Sequence, residues 1–370
     1  MEKQDLCLVF INADAGEGYI TGDGIRADRP DLYPQKGGGQ LVQAVAKSCG
    51  KGRSSTIVVV HAVGPVAMER WIDLPGVKAV LLANLPGEES GNALANVLFG
   101  DIDASGRLPY TVGKSLKDYG EGGQVLYYPN GAVPQQNFKE GLLIDYRHFD
   151  KYDITPRYEF GFGLSYTTFE FTNLEIATVK RKSALPDPRP MGVAIPDLDN
   201  SIPDPSTALF PKGFRKLNKY IYPYISSTDA VKKGDYPYPE GYKHPREPSP
   251  AGGGEGGNPS LYEVHLNVSV TVTNTGSRKG KEVVQLYLSF PDNVVEGSTG
   301  EKVNFPVKVL RAFEKVELEK GEQQKVTLAL TRKDFSYWSV VQQNWVMPTT
   351  GKFTIRVGKS SRDLPLEGAW

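Results

Sequence analysis

The stretch Asn12-Ala13-Asp14-Ala15-Gly16-Glu17-Gly18-Tyr19-Ile20 puts one carboxylate between two glycines, with an aromatic ring two positions further on. Glu17 is a candidate general acid/base. The flanking glycines allow unusual φ and leave room for a ligand to approach the backbone. Tyr19 offers a ring that could stack on a planar or sugar-like face. Asp14 and Asp23 flank Glu17, and like-charge repulsion would raise its pKa. The local pattern alone also describes an ordinary turn. Other carboxylates read more plainly. Glu88 and Glu89 precede a helical pattern, where acids favour the first turn. "GEGYITGDG" lacks the G-x-G-x-x-G spacing of a dinucleotide loop. Four His and two Cys offer no ligand spacing for a metal, and no cofactor is expected.

A reactive carboxylate needs a rigid element behind it. Leu6–Ile11 is a continuous apolar run of strand length, as in a parallel strand covered on both faces. Leu41, Val42, Val45 and Ala46 recur at helical spacing, and Gly50 stops that helix. "TIVVVHA" and "VKAVLL" are two more strand runs. "GEESGNALANVLFG" reads as a helix with Gly100 at its C-terminal stop. "GRLPYTV" reads as an edge strand, because Pro109 has no N–H for a ladder. The βαβαβα order implies a parallel sheet with helices on its faces. Ligand-contacting loops then lie beyond the carboxyl ends of the strands, and the Glu17 loop is one of them. Three or four strands make a thin sheet, and the first begins almost at Met1, so the reading expects earlier elements to be missing.

The 370 residues suggest two or three domains. Lys plus Arg and Asp plus Glu both total 43, and this zero balance argues against DNA or an anionic membrane as partner. No apolar run reaches a transmembrane length, and no signal segment precedes the first strand. Cys7 and Cys49 cannot form a disulfide framework. They are read as buried free thiols, with one disulfide left open.

Residues 113–170 are irregular and aromatic, and their interleaved Arg147, His148 and Arg157 read as packing between domains rather than nucleic-acid stacking. A Pro- and Tyr-rich stretch follows, in which ladders and helices are blocked. From Leu261 the period becomes two: Val264, Leu266, Val268, Val270 and Val272 face one way, His265, Asn267, Ser269 and Thr271 the other. Six or seven such strands without a Cys pair indicate a fibronectin type III-like β-sandwich. Asn267-Val268-Ser269 is a glycosylation sequon whose Asn falls on the outward face. The expected organisation is a partial parallel α/β sandwich over 1–170, a connecting insertion over 171–260 and the fibronectin type III-like domain over 261–370.

Several long motifs occur together in one order. "LVFINADAGEGYI", "TIVVVHAVGPVAMERWID", "LPGEESGNALANVLFGDIDASGRLPYTVGKS", "IDYRHFDKYDITPRYEFGFGLSYTTFEF" and "WVMPTTGKFTIRVGKSSRDLPL" closely resemble the C-terminal half of fungal β-glucosidases of glycoside hydrolase family 3. The resemblance covers nearly the whole chain, the Pro- and Tyr-rich insertion included. It implies a secreted, retaining enzyme that releases terminal β-D-glucose from cellobiose and other β-glucosides. It implies that Glu17 is the acid/base and that Tyr19 lines the aglycone subsite. It also implies a partner within the enzyme: a (β/α)8 barrel carrying an aspartate nucleophile in a Ser-Asp-Trp type segment. These 370 residues hold no such segment, and "RWID" at 70–73 lies in the α/β part. The chain alone is therefore expected to be inactive, because retention needs two carboxyl groups about 5–5.5 Å apart. A non-catalytic carbohydrate-binding or protein-interaction module, or a half-enzyme completed by a separate barrel chain, are the other readings.

Overall fold

A computed structural model describes residues 3–16, 29, 31–53, 55–120, 135, 137–188, 257–297 and 299–370, with the backbone of 201–202 and 234–235. The chain divides into two compact units, Met1–Pro186 with Leu261–Trp370, and Asp187–Ser260. In the smaller unit, β5 (Ser201–Ile202) pairs antiparallel with β6 (Gly234–Asp235). The larger unit holds both the parallel sheet and the sandwich.

The parallel sheet has the order β1-β2-β3, from β1 (Leu6–Ala13), β2 (Ser55–Ala62) and β3 (Val77–Leu82). Residues Val9 and Ile11 of β1 face the same way as Val58 and Val60 of β2. Helix α1 (Gly38–Ser48) covers that face with Val42, Val45 and Ala46. It comes close enough that a Cβ on Gly38 would stand 2.9 Å from Pro34 Cβ and 3.1 Å from Ile11 Cγ2, so this position must be glycine. Leu41, expected in the buried stripe, is 49% exposed. Between β2 and β3 the chain makes turns rather than a helix, and buried Met68 and Trp71 fill the same core. Helix α2 (Ser90–Phe99) ends at Gly100, whose φ of 79° is the left-handed stop the sequence implied.

Two readings need correction. "GRLPYTV" is not a sheet strand. Leu108 N–H donates to Phe162 O, Gly161 N–H to Leu108 O, and Val112 N–H to Tyr158 O, so the segment runs against residues 158–162. Pro109 interrupts any longer ladder. Cys7 and Cys49 are not free thiols but a disulfide, with Cα atoms 6.2 Å apart. Cys7 points to the α1 side at the beginning of β1. The helix returns to that end of the strand, so Cys49, the residue just after it, arrives beside Cys7, a closeness invisible across a separation of 42.

Helix α3 (Tyr146–Lys151) lies in the aromatic stretch. It is followed by β4 (Phe169–Thr178), which belongs to the sandwich. The remaining strands are β7 (Val264–Asn274), β8 (Gly280–Ser289), β9 (Val309–Leu318), β10 (Gln323–Thr331), β11 (Tyr337–Ser339), β12 (Asn344–Val346), β13 (Thr354–Gly358) and β14 (Leu366–Ala369). One sheet has the order β10-β7-β4 and the other β14-β13-β8-β9, with β11 and β12 as a separate hairpin. Leu266, Val268, Val270 and Val272 meet Leu286, Leu288, Ile355 and Phe353 in one core. Phe169 and Phe171 of β4 join it, so a sandwich strand runs across the expected boundary between 1–170 and 171–260. The alternation in "FEFTNLEIAT" is broken by an irregularity between Thr172 and Glu175, which hides the strand from a period-two reading. The outward face of β7 is also less open than its pattern implies: His265 and Ser269 are buried, because β7 is the middle strand.

The aromatic stretch joins the two parts, as its composition implied. Asp145 accepts from Thr111 N (2.9 Å), Thr111 Oγ1 (2.7 Å) and Tyr146 N (2.5 Å). Tyr146 Oη accepts from Leu310 N at 3.0 Å. Asp150 binds Lys308 at 2.6 Å, and Arg107 binds Glu282 at 2.6 Å, both with little exposure. Asp103 accepts from Ser165, Tyr166 and Lys281. Each charge leaves water only with a partner, and these contacts tie the sheet domain to the sandwich.

Candidate active site

The carboxyl edge of the parallel sheet is built by the residues just after each strand. After β1, the side-chain amide of Gln35 clamps the backbone of Asp14 from both sides. It donates from Nε2 to Asp14 O at 2.8 Å, and its Oε1 accepts from Asp14 N at 3.1 Å. Gln35 N–H also donates to Asn12 O at 2.9 Å. The chain is thus held at the base of the Glu17 loop, two residues before Gly16. Ala13 O accepts from Val63 N, and Asn84 O accepts from Ala62 N, so the three strand ends share one rim.

Asn84, just beyond β3, adopts φ 52°, the left-handed region that Asn tolerates. That turn aims its Oδ1 at Tyr110 Oη, which donates at 2.5 Å. Burial raises the Tyr110 pKa, so its hydroxyl stays protonated as a donor. Arg29 Nη2 donates to Pro65 O at 2.8 Å, which places a guanidinium beside the loop after β2. Asp14 Oδ1 is buried without a hydrogen-bond partner.

The candidates Glu17 and Tyr19, with Asp23, lie outside the described residues. What is described is their support: a strand end, a glutamine clamp and a polar rim. Gln35, Asn84 and Tyr110 were missed by local reading, because none carries a motif and each acts through a contact far along the chain. Two of the competing carboxylates take structural roles. Arg157 grips Glu69 with two bonds of 2.7 Å and also Asp73, so the "RWID" aspartate serves an ion pair. Glu89 is the residue ahead of α2, where it accepts from Asn92. Among the described residues, no group of three or more His, Cys, Asp or Glu lies where it could hold a metal. Asn267 lies mid-strand and half-buried, and its cross-strand neighbours are Ala329 and Ala177.

Residues 1–166 match the model of the glycosyl hydrolase family 3 C-terminal domain, and residues 282–361 match the fibronectin type III-like domain. Over 386 residues the chain is 60% identical to "Probable beta-glucosidase E" of Neosartorya fischeri, covering 99% of this chain and 37% of that protein. It is 46% identical to "Probable beta-glucosidase F" of Aspergillus oryzae, covering 97% of this chain and 41% of the relative. The chain thus spans less than half the length of these curated relatives. Among solved structures, the β-D-glucoside glucohydrolase from Trichoderma reesei superposes with a TM-score of 0.74 at 35% identity, covering 100% of this chain and 40% of that one. A β-glucosidase of Chaetomium thermophilum gives a TM-score of 0.73 at 41% identity, covering 98% and 43%.

Proposed function

This chain belongs to glycosyl hydrolase family 3, as its C-terminal domain and fibronectin type III-like domain, and from that premise we propose that it is the C-terminal portion of a retaining β-glucosidase. In this reading the enzyme releases terminal β-D-glucose from cellobiose and other β-glucosides. Glu17 is its acid/base: it protonates the leaving oxygen, then takes the proton from the water that opens the glycosyl-enzyme intermediate. Tyr19 stacks against the leaving group. The nucleophile comes from a (β/α)8 barrel beyond these 370 residues.

The observation that carries this reading is the clamped end of β1. Gln35 holds Asp14 where the chain leaves a parallel sheet, the place where such sheets present reactive groups. A second feature supports the need for a further body. Leu6, Leu8 and Phe10, on the β1 face away from α1, are 51%, 44% and 53% exposed. Parallel sheets are normally covered on both faces.

Turnover and binding measurements test the reading. The 370-residue chain alone should not turn over p-nitrophenyl β-glucoside, and turnover abolished by Glu17→Gln would reverse the barrel part. In the longer enzyme, Glu17→Gln should lower kcat/KM on cellobiose, which reads the step that needs the acid, by about 10²–10⁴-fold. The loss should be far smaller on a dinitrophenyl glucoside, whose leaving group needs no proton. Equal losses on both substrates would remove Glu17 from the acid role. Glucose or cellobiose binding by the chain with no barrel gene in reach would favour the non-catalytic module, and turnover on co-expression with a separate barrel would favour the half-enzyme.

The same reading makes the protein secreted and N-glycosylated at Asn267. The disulfide supports an oxidising compartment. No helix among the described residues is long and apolar enough to cross a membrane. The two alanines beside Asn267 leave space over the sheet for a glycan. A mass shift on enzymatic deglycosylation of the protein from a fungal host, absent in Asn267→Gln, is the expected result.

A further inference from the structure

Beside the carboxyl edge, a cavity of about 230 Å³ opens at the start of α1. Three of its lining residues, Gly37, Gly39 and Gln40, form the first turn of that helix. The turn has no acidic residue and no side-chain cap; Gly38 N–H donates to Gln35 O, and the N–H groups of Gly39 and Gln40 keep the positive end of the helix dipole uncompensated. Gly37 takes φ 73°, which suits glycine, and a Cβ on Gly39 would meet only Trp71 Cδ1, at 3.7 Å. The backbone is therefore bare toward the cavity.

Across the opening, the Arg70 guanidinium lies 3.6 Å from the centre of the Tyr33 ring. Stacking fixes its plane and leaves its in-plane N–H groups without a hydrogen bond among the described residues. Gln43 Nε2 donates to Arg70 O at 2.9 Å and holds the residue in place. Trp71 lines the same cavity, is 1% exposed, and its indole Nε1 has no partner. The edge of the ring nearest Gly39 is Cδ1, the atom bonded to Nε1, so the unpaired donor lies on the side of the helix start. The nearby acids are engaged elsewhere: Glu69 and Asp73 hold Arg157, and Asp31 accepts from Tyr33 N.

An unpaired buried donor, an open helix start and a stacked guanidinium all ask for an acceptor with negative charge. The volume suits one small group rather than an extended ligand. We propose that this cavity binds a single small oxyanion, a carboxylate or phosphate group, held between the α1 N-terminus and Arg70. The inference stands apart from the role of Glu17.

The test is a titration of the 370-residue chain with inorganic phosphate and with acetate, and with glucose as the uncharged control. The readouts are calorimetry and the Trp71 indole N–H resonance. Both anions should move that resonance, with binding that weakens as chloride is added, while glucose should leave it still. Arg70→Met should weaken anion binding by about tenfold or more. Gln40→Glu adds a carboxylate to the first turn, keeps the helix, and should abolish binding while the melting temperature holds. No saturable shift with either anion, or an unchanged affinity in both variants, overturns the proposal. Equal binding of glucose overturns the assigned charge.

Discussion

The two folded parts of this protein solve the burial problem differently. In the sandwich, each sheet covers the other: Leu266, Leu286, Leu288, Phe353 and Ile355 have no exposed surface. In the parallel sheet, the α1 side closes in that way, whereas on the far face Val59 of β2 is buried but the β1 side chains are not. Val9, Ile11, Val58 and Val60 are buried on the α1 side, while Leu6, Leu8 and Phe10 on the other face of β1 meet solvent, and α2 buries no residue fully. A two-sheet sandwich needs nothing but itself. A parallel sheet needs covers on both faces, and here one cover is partial. The sheet domain is held instead by the Cys7–Cys49 disulfide and by the polar contacts that dock it on the sandwich. The part in which the acid/base is proposed is thus the part that depends on its neighbours.

The comparison can be broken at four places. Phe353→Ala removes a fully buried ring from the sandwich and should cost about 3–5 kcal/mol, read from urea unfolding. A loss below half of that would mean the sandwich core is not the stable half. Arg107→Met leaves Glu282 buried and unpaired at the junction, and should cost about 3 kcal/mol. Adding Glu282→Met should recover most of that loss, since the penalty comes from the orphaned charge. A double variant as weak as the single would point to lost packing instead.

Replacing Cys7 and Cys49 together with alanine should destabilise by about 2–4 kcal/mol. Hydrogen exchange should then quicken in β1 and α1 first, ahead of β7 and β8. Uniform quickening would show that the two parts unfold as one. The smallest effect belongs to Phe10→Gln, at 53% exposure. Stability should move by no more than about 0.5 kcal/mol. Binding of an apolar dye should fall, and a large stability loss would show that this face is covered.

Much of the architecture was legible beforehand because it rests on period and punctuation. β1, β2, β3, α1, the Gly100 stop and the sandwich strands all follow from apolar spacing and glycine placement. The misses share one cause. β4 was hidden by an irregularity at Thr172–Glu175, and the segment around Pro109 looked like a strand although it pairs with residues 158–162. Both depend on a partner far along the chain. The site divides the same way: Glu17 stood out through its glycines, whereas Gln35 and Tyr110 became visible only by what they touch.

By itself, then, the sequence determined the two kinds of sheet, the family resemblance and the place of one carboxylate after one strand. These are local or cumulative signals, carried by neighbours in the chain. Only the tertiary structure decided that Cys7 meets Cys49, that Gln35 clamps the chain at Asp14, that Arg157 takes the "RWID" aspartate, and that Arg70 and Trp71 share a cavity with the start of α1. Each of these joins residues separated by tens of positions, and which of them meet is set by how helix and strands pack rather than by any residue's own preference.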